Sequence, residues 1–168
     1  TLSETRQYNL DKVIAAGYDT RLAAFDVLVP ALVNAMMHIG VTDPLYKLRD
    51  AVALLGKWDH RSSDTSIATT LAIEWAEKLL PAIYQTKLPA GMPDDQVSRM
   101  TTFAKTASPS QLLEPLGSTI ASLEKKYGGW QIPWGQVNRF QRISPAIDNQ
   151  FNDSLPSFPV GFASAIWG

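Results

Sequence analysis

Apolar residues recur every three or four positions through most of the chain, which is the spacing that places them on one side of an α-helix. The most regular stretch is residues 65–85, where a large apolar residue returns at every fourth position beside a row of alanines. Such a row lets another helix approach closely, so the stretch predicts a helix with a tightly packed neighbour. The residues concerned are Ile67, Leu71, Trp75 and Leu79, with Ala68, Ala72 and Ala76.

The same spacing predicts five to six helices, counting a short candidate at 10–16, and therefore a mainly α fold. Residues 21–39 carry a wide apolar face, but Pro30 removes a backbone hydrogen bond there and is expected to bend the helix. Pro115 is expected in the first turn of the last helix, where proline is tolerated. The predicted ranges are 10–16, 21–39, 45–55, 65–85, 94–106 and 111–127.

Capping residues are expected to bound these helices. Asp43 can accept from free N–H groups and Pro44 suits the first helical position, so a helix is expected to start there. Asp64 or Thr65 is expected to cap the helix that follows the polar loop 59–64. Glycine is common just beyond a helix end. The expected stops are Gly17, Gly40, and Gly128 with Gly129.

The helical spacing ends at Gly129. From 130 to 168, aromatic residues, prolines and polar residues alternate without a helical period, which indicates loop and short strand. We therefore divide the chain into a helical region, 1–129, and an irregular segment, 130–168, expected to pack on the remainder of a larger protein. The chain begins at Thr1 without a methionine and stops within an apolar run at Gly168, which favours a fragment.

Charge and composition exclude several classes of function. The 15 basic and 16 acidic residues give a net charge of −1 and are mixed along the chain, so there is no basic stripe for a nucleic-acid backbone. No apolar run approaches the roughly 18 residues of a membrane-spanning helix. The absence of cysteine excludes disulfides, thiolate metal ligands and a cysteine nucleophile.

Thr1 is a candidate for chemistry because a free N-terminal threonine can act as a nucleophile, with its own α-amino group as base. The residues after it, 2–5, show no strand pattern that would hold it rigidly, so we expect no catalytic role. Serine catalysis is not indicated either. No Gly-x-Ser-x-Gly elbow occurs, and His38 and His60 are the only histidines that could serve as the base of a triad.

Asp59, His60 and Asp64 lie close together in sequence and invite a metal interpretation. A zinc site needs three or four ligands, and two carboxylates with one histidine before a helix are more typical of capping and solvation. His38 is expected at a helix end, where an imidazolium suits the helix dipole. We assign no catalytic, cofactor-binding or metal-binding residue.

A second polar cluster offers oxygen ligands of the kind that calcium prefers. It lacks the spacing and the closing glutamate of an EF-hand, so turn chemistry is the better interpretation. Its members are Asp148, Asn149, Asn152 and Asp153.

Aromatic side chains concentrate near the end of the chain. They could line a pocket for an acyl group, since such pockets are apolar. Alternatively they pack the irregular segment onto the rest of the protein, which we favour because aromatic rings dominate core and interface burial. They are Tyr127, Trp130, Trp134, Phe140, Phe151, Phe158, Phe162 and Trp167.

Two blocks of sequence carry a family resemblance. Residues 54–60 read Leu-Leu-Gly-Lys-Trp-Asp-His before the long helix, and residues 134–139 read Trp-Gly-Gln-Val-Asn-Arg. With further pieces in the same order, they resemble the helical region after the catalytic core of the penicillin amidase family, which includes acyl-homoserine-lactone acylases. The further pieces are 8–10, Asp19, Ala24, 28–32, 64–66, Trp75, 155–156 and 159–161.

The resemblance implies a larger α+β N-terminal nucleophile hydrolase, whose precursor cuts itself into two chains. In that family the new N-terminal serine attacks an amide carbonyl, its α-amino group acts as base, and donors that include an asparagine form the oxyanion hole. Those residues lie upstream of the matched region, so no catalytic residue is carried over. The resemblance also implies a periplasmic or secreted enzyme whose substrate is a β-lactam side-chain amide, an acyl homoserine lactone or a lipopeptide acyl group.

The expected partner is the remainder of the same precursor. No cofactor is expected, and a structural calcium, if the parent has one, would lie outside this chain. Within the scaffold, Trp58 is expected to bury its ring and Asp59 to tie or cap the loop that follows. Arg139 is expected to pin the loop around 134–135 by pairing with a carboxylate or with carbonyls. The alternative is a stand-alone helical binding module whose C-terminal aromatic residues form the binding surface.

Overall fold

A computed structural model describes residues 9–141, 152 and 154–168. Within them, seven α-helices, one 3-10 helix and a two-stranded antiparallel ribbon follow one another, so the mainly α class is confirmed. None of the helices in these ranges is long and apolar enough to cross a bilayer. The helices are α1 (Leu10–Gly17), α2 (Phe25–Met37), α3 (Arg49–Gly56), α4 (Ile67–Gln85), α5 (Gln96–Thr106), α6 (Pro109–Tyr127) and α7 (Trp134–Val137), the 3-10 helix is Pro44–Leu48, and the strands are β1 (Arg139–Phe140) and β2 (Phe158–Pro159).

Helix α4 lies at the centre of the helical body and packs against α3, α5, α6 and α7. Its alanine row is buried, as the sequence pattern predicts for a helix with a close neighbour. Trp75 on α4 is completely buried and donates its indole N–H to the carbonyl of Leu112 on α6 at 2.9 Å. A buried indole needs such an acceptor, so this bond fixes α4 against the start of α6.

Helix α2 covers the other side of the core and packs on α3, α5 and α6, with Phe25, Leu28 and Leu32 completely buried. It begins at Phe25 and not at Arg21 as predicted. The reason is a long-range pairing, because the backbone N–H of Leu22 donates to the carbonyl of His60 at 2.8 Å. Residues committed to that extended pairing cannot also start a helix.

The next boundaries also differ from the prediction. Helix α2 ends at Met37, before Gly40, and a turn from Gly40 to Asp43 follows, closed by a backbone bond of 2.9 Å. The single helix predicted at 45–55 is divided into the 3-10 helix Pro44–Leu48 and helix α3. Asp43 caps the 3-10 helix as expected.

Helix α4 is capped by Ser66 and not by Asp64 or Thr65 as predicted. The Ser66 hydroxyl accepts from the backbone N–H of Thr69 at 3.0 Å, which satisfies one of the free donors at the helix start. At the other end of the helical region, Gly128 terminates α6 as predicted, with a left-handed φ of 79°.

Three helices continue through an internal proline. The prolines are Pro30 in α2, Pro81 in α4 and Pro115 in α6. Each proline lacks the N–H that would bond to the carbonyl four residues earlier, so each helix lacks one bond of its ladder. Pro115 lies in the second turn and not the first, because α6 begins at Pro109. Ser108 forms a capping box with Gln111 there, a signal that the apolar spacing did not reveal.

The irregular segment contains the single helical turn α7 and the ribbon β1–β2, in which Phe140 stands opposite Phe158. Trp134 and Trp167 are buried in the same core as the helices. Phe140 and Phe158, by contrast, expose 54% and 70% of their surface. The segment therefore packs onto this helical region with some of its rings and leaves others uncovered, and its contact with further parts of a larger protein stays a prediction.

Helix α1 buries none of its residues, although it ends at Gly17 as predicted. Leu10, Val13 and Ile14 stand exposed on it. The residue after the helix, Tyr18, places its ring 6.2 Å from that of Phe162 in the irregular segment. An eight-residue helix is marginal in water without tertiary packing. Helix α1 carries an apolar stripe that no residue of the described ranges covers.

Thr70 on α4 and Thr119 on α6 are both completely buried. Together they test how a hydrogen bond to a buried hydroxyl affects stability. The Thr119 hydroxyl donates to the carbonyl of Glu74 at 3.3 Å, whereas the Thr70 hydroxyl has no hydrogen-bond partner among the described residues. Thr70→Val keeps the shape and removes an unsatisfied polar group, so the free energy of unfolding should rise by about 1 kcal/mol. Thr119→Val, the matched control, should lower it by about 1 kcal/mol. Urea unfolding measures both, and a destabilised Thr70→Val would contradict the prediction.

Candidate functional site

The candidate site is the loop between α3 and α4, residues 57–66, which we call the junction loop. His60 within it has a φ of 58°, a left-handed conformation of the kind that costs a residue with a side chain on the order of 1–3 kcal/mol. Internal bonds hold the loop in this shape. The Trp58 indole N–H donates to the carbonyl of Arg61 at 2.9 Å, and the Arg61 backbone N–H donates to the Asp59 carboxylate at 3.0 Å.

Five ionisable side chains meet beside the junction loop, and we call them the charge cluster: Asp19, Arg21, Asp26, His60 and Arg61. The Nδ1 atom of His60 lies 2.7 Å from the Asp26 carboxylate, which also accepts from Arg21 at 2.8 Å. Arg61 donates to Asp19 at 2.7 Å. The hydrogen bond from His60, with a smaller effect of Arg21, lowers the pKa of Asp26. The backbone N–H of Arg21, followed by the Arg61 side chain, lowers the pKa of Asp19.

Backbone pairing joins the same two parts of the chain. Two hydrogen bonds, of 2.8 and 2.9 Å, link residues 20–22 to residues 60–62 in an antiparallel bridge. Arg21 and Arg61 stand directly opposite each other in this bridge. Like charges in that arrangement repel, so the aspartate partner of each arginine compensates a repulsion that the backbone geometry creates.

A line of four rings connects the junction loop to the core. The ring centroid of Phe25 lies 5.9 Å from that of Trp167 and 5.2 Å from that of Trp58. The Trp58 ring in turn lies 5.4 Å from that of His60. These tilted and edge-on arrangements are favourable for aromatic pairs. The completely buried Phe25 at the start of α2 therefore holds both the junction loop and the C-terminal Trp167.

The start of α7 lies against the other side of the junction loop. The backbone N–H of Gly135 donates to the carbonyl of Asp64 at 2.7 Å, and that of Trp134 donates to the carbonyl of Ser66 at 3.1 Å. A Cβ atom on Gly135 would lie 2.7 Å from the Cβ of Pro159 and 2.9 Å from that of Asp64. Glycine is required at this position because three segments meet there.

Asn138 and Arg139 tie α7 to the last part of the chain. The Asn138 side-chain amide donates to two carbonyls within residues 160–162, at 3.0 and 2.7 Å. Arg139 donates to the carbonyl of Gly135 at 3.1 Å and to the hydroxyl of Ser157 at 2.9 Å. The expected role of Arg139 is confirmed, with carbonyl and hydroxyl groups as its partners.

The other predicted residues of the loop have structural partners as well. The Trp58 indole N–H finds its expected acceptor, but the ring is only partly buried. Asp59 ties the loop as expected, whereas Asp64 contributes its backbone carbonyl. His60 pairs with Asp26 of α2 and with neither aspartate of its own loop. Across the described ranges, no group of three His, Asp or Glu side chains is placed to hold a metal ion.

Several candidates lie elsewhere. His38 follows the end of α2, with Nδ1 2.8 Å from the carbonyl of Asn34, as expected for a helix-end histidine. The Asn152 side chain accepts from the backbone N–H and the hydroxyl of Ser154, at 3.0 and 2.6 Å, which is turn chemistry. Thr1 and three members of the second polar cluster lie outside the described residues. Those three are Asp148, Asn149 and Asp153.

The C-terminal aromatic rings do not gather around one pocket. Trp167, Phe162, Tyr127 and Trp130 line four separate clefts. Trp134 is buried and donates its indole N–H to the carbonyl of Phe162 at 3.2 Å. Phe151 lies outside the described residues. The arrangement of the described rings favours packing over an acyl pocket.

Two important polar contacts were missed by the sequence analysis. Asp26 and His60 are 34 residues apart, and no local spacing links them. Gln141 is buried and bonds to residues 152–155: its side chain donates to the carbonyls of Asn152 and Leu155 at 2.8 and 2.9 Å and accepts from the Asn152 backbone N–H at 2.8 Å. Neither contact is indicated by residue type alone.

The chemistry available at the junction loop follows from these partners. His60 is engaged with a carboxylate and His38 with a helix carbonyl, so neither imidazole is hydrogen-bonded to a hydroxyl within the described part of the chain. A nucleophile and its base must lie within hydrogen-bond reach of each other. The contacts described at the junction loop are therefore those of a structural junction.

Comparison with protein families gives one match. The family model described as penicillin amidase matches residues 1–162, which is nearly the whole of the 168-residue chain. The junction loop and the block 134–139 both fall inside the matched range.

Gly135→Ala tests the close approach at α7. The added methyl group would overlap Pro159 and the Asp64 side chain, so the free energy of unfolding should fall by about 1–3 kcal/mol. Gly117→Ala in α6 is the matched control, because its Cβ would meet Leu48 at an ordinary 3.7 Å. That change should raise stability by up to about 1 kcal/mol. Equal melting temperatures for the two variants would contradict the steric argument.

Trp58→Ala tests the ring that joins the junction loop to Phe25. Removing a large, partly buried ring and its hydrogen bond should cost about 3 kcal/mol. Trp58→Phe retains a ring but removes the indole donor, so the Arg61 carbonyl keeps only the Thr69 hydroxyl at 3.3 Å, and the change should cost about 1 kcal/mol. Chemical unfolding of both variants separates packing from hydrogen bonding, and a change near zero for Trp58→Ala would rule out the anchoring role.

Proposed function

Because the chain belongs to the penicillin amidase family, we propose that it forms a helical scaffold segment of an N-acyl amide hydrolase. The reaction is hydrolysis of an amide that joins an acyl group to an amine. The nucleophile in this proposal is an N-terminal serine on polypeptide outside these 168 residues. Its hydroxyl adds to the amide carbonyl with its own α-amino group as base, the amine leaves, and water releases the acid from the acyl-enzyme.

One observation carries the scaffold role. Polar side chains in both family-like blocks are occupied by bonds within this chain. Trp58 and Asp59 close the junction loop, and Asn138 and Arg139 hold the last segment against α7. A catalytic group must instead reach the substrate or the nucleophile. These blocks therefore serve the geometry of the fold, and the reacting groups belong to another part of the enzyme.

The partner in this proposal is the remainder of the same precursor. Helix α1 offers it an apolar stripe that nothing in the described chain covers, and Phe162 beside Tyr18 is 46% exposed. Contiguous exposed apolar surface is typical of an interface. We extend the proposal to a periplasmic or secreted location and to N-acyl substrates, as the family resemblance implies.

A stand-alone helical binding module is the second candidate. The observation in its favour is the exposed cross-strand pair Phe140 and Phe158, which presents two rings on one ribbon. The two candidates differ in solution behaviour. A scaffold segment without its partner should self-associate through its uncovered apolar residues, whereas a module should be monomeric and unfold cooperatively.

The isolated 168-residue chain should release no acid from chromogenic N-acyl anilides, whereas the intact protein that carries it should hydrolyse at least one of them. Gly135→Ala, introduced into the intact protein, should lower the number of active sites titrated by a serine-directed covalent inhibitor. Turnover per titrated site should stay unchanged, because the residue acts on folding and not on the reacting atoms.

Gly117→Ala in the intact protein serves as the control and should retain all active sites. The scaffold proposal would be wrong if Gly135→Ala lowered turnover per site while the melting temperature was unchanged. Amide hydrolysis by the isolated chain at enzymatic speed would place the catalytic centre within these residues.

A further inference from the structure

We propose that the charge cluster is an acid-sensitive latch, which holds residues 20–22 against the junction loop at neutral pH and releases them in acid, when its carboxylates are protonated. The inference is independent of the hydrolase proposal, because it concerns a contact inside this chain. It rests on the antiparallel bridge, which fixes two arginines opposite each other, and on the two aspartates that bind them.

The bridge holds the positive charges of Arg21 and Arg61 close enough to repel each other. Residues directly opposite in an antiparallel pair have Cβ atoms about 4.5–5.5 Å apart. Both arginine side chains are about half exposed, at 55% for Arg21 and 50% for Arg61. They remain together because Asp26 and Asp19 accept from them at 2.8 and 2.7 Å. Without those negative charges, the backbone bonds alone would have to overcome the repulsion.

The charged groups around the bridge come from three parts of the chain. Asp19 and Arg21 precede α2, Asp26 lies in its first turn, and Asp59, His60 and Arg61 belong to the junction loop. The C-terminal segment that packs beside them, residues 154–168, has no charged side chain. At neutral pH the carboxylates of Asp19 and Asp26 balance the two arginines that they bind. In acid these two carboxylates become neutral, so the arginines face each other without their negative partners.

The direction in which pH acts on the latch follows from the pKa values of its two carboxylates. The pKa of Asp26 and the pKa of Asp19 both lie below the ordinary value of 3.8. The stabilisation of the closed latch by these two ionised carboxylates is therefore complete at pH values above their ordinary pKa. It is lost as the pH falls through their lowered pKa values, at about pH 4 and below. Since these groups are largely in water, salt should screen the repulsion that opens the latch.

Release would affect more than the bridge. Residues 60–62 contribute the Arg61 carbonyl that accepts from the Trp58 indole, and Trp58 contacts Phe25 at the centre of the ring line. The segment before α2 contributes the Ala24 backbone N–H, which donates to the carbonyl of Trp167 at 3.0 Å. Opening the latch therefore loosens the contact between the helical body and the C-terminal segment before α4 and α6 separate.

Hydrogen–deuterium exchange followed by mass spectrometry on the intact protein tests the latch. Uptake is compared at about pH 6 and about pH 3, in peptides that cover residues 18–24 and 57–66, after correction for the intrinsic pH dependence of exchange. A peptide from α4 reports global unfolding. We expect uptake in the two latch peptides to rise roughly tenfold in acid relative to α4, and about 1 M salt to suppress most of that rise.

Paired variants distinguish repulsion from general acid unfolding. Asp19→Asn with Asp26→Asn should open the latch peptides at about pH 6, without change in α4. Arg21→Gln with Arg61→Gln removes the repelling charges, so its latch peptides should stay protected at both pH values. Asp94→Asn, which removes a distant ion pair with Arg99, is the control and should leave them unchanged. The latch is refuted if the arginine variant opens in acid as the unmodified protein does, or if α4 exchanges together with the latch peptides.

Discussion

The left-handed conformation of His60 is the constraint on which the other contacts around the junction loop depend. With a φ of 58° at that position, the chain turns back so that the His60 carbonyl meets Leu22 and its ring meets Asp26. The same turn brings the Arg61 carbonyl within reach of Trp58. Strain of this kind persists only where surrounding contacts over-determine it, and here those contacts come from α2, the loop itself and the start of α4.

The two sequence blocks that resemble the penicillin amidase family meet at this loop. The first, residues 54–60, runs from the end of α3 into the loop, and the second begins with α7, whose Gly135 donates to the Asp64 carbonyl. Blocks separated by some 70 residues in sequence therefore meet as one structural unit. Since Trp58, Asn138 and Arg139 donate to carbonyls of neighbouring segments, the resemblance identifies where the scaffold is held together.

The apolar spacing was sufficient to place the helices, because burial of one face decides where a helix forms. The apolar spacing did not predict the first residue of a helix where that start depends on contacts with a segment distant in sequence. The start of α2 depends on pairing with residues 60–62. The cap of α4 is Ser66, whereas Asp64 uses its backbone carbonyl to accept from Gly135 of α7. At the site, Trp58 and Arg139 were predictable from residue type and position. The Asp26–His60 pair and the buried Gln141 were not, since their partners are brought near only by the finished fold.

The internal prolines of α2, α4 and α6 bear on the order of events during folding. A helix propagates by adding one bond per residue, and each of these three helices is interrupted at a point where that bond is missing. None can gain much order as an isolated stretch of nascent polypeptide. Helices α2 and α4 both pack on α6, which is distant from each of them in sequence, so helix formation must coincide with collapse of the core and cannot precede it.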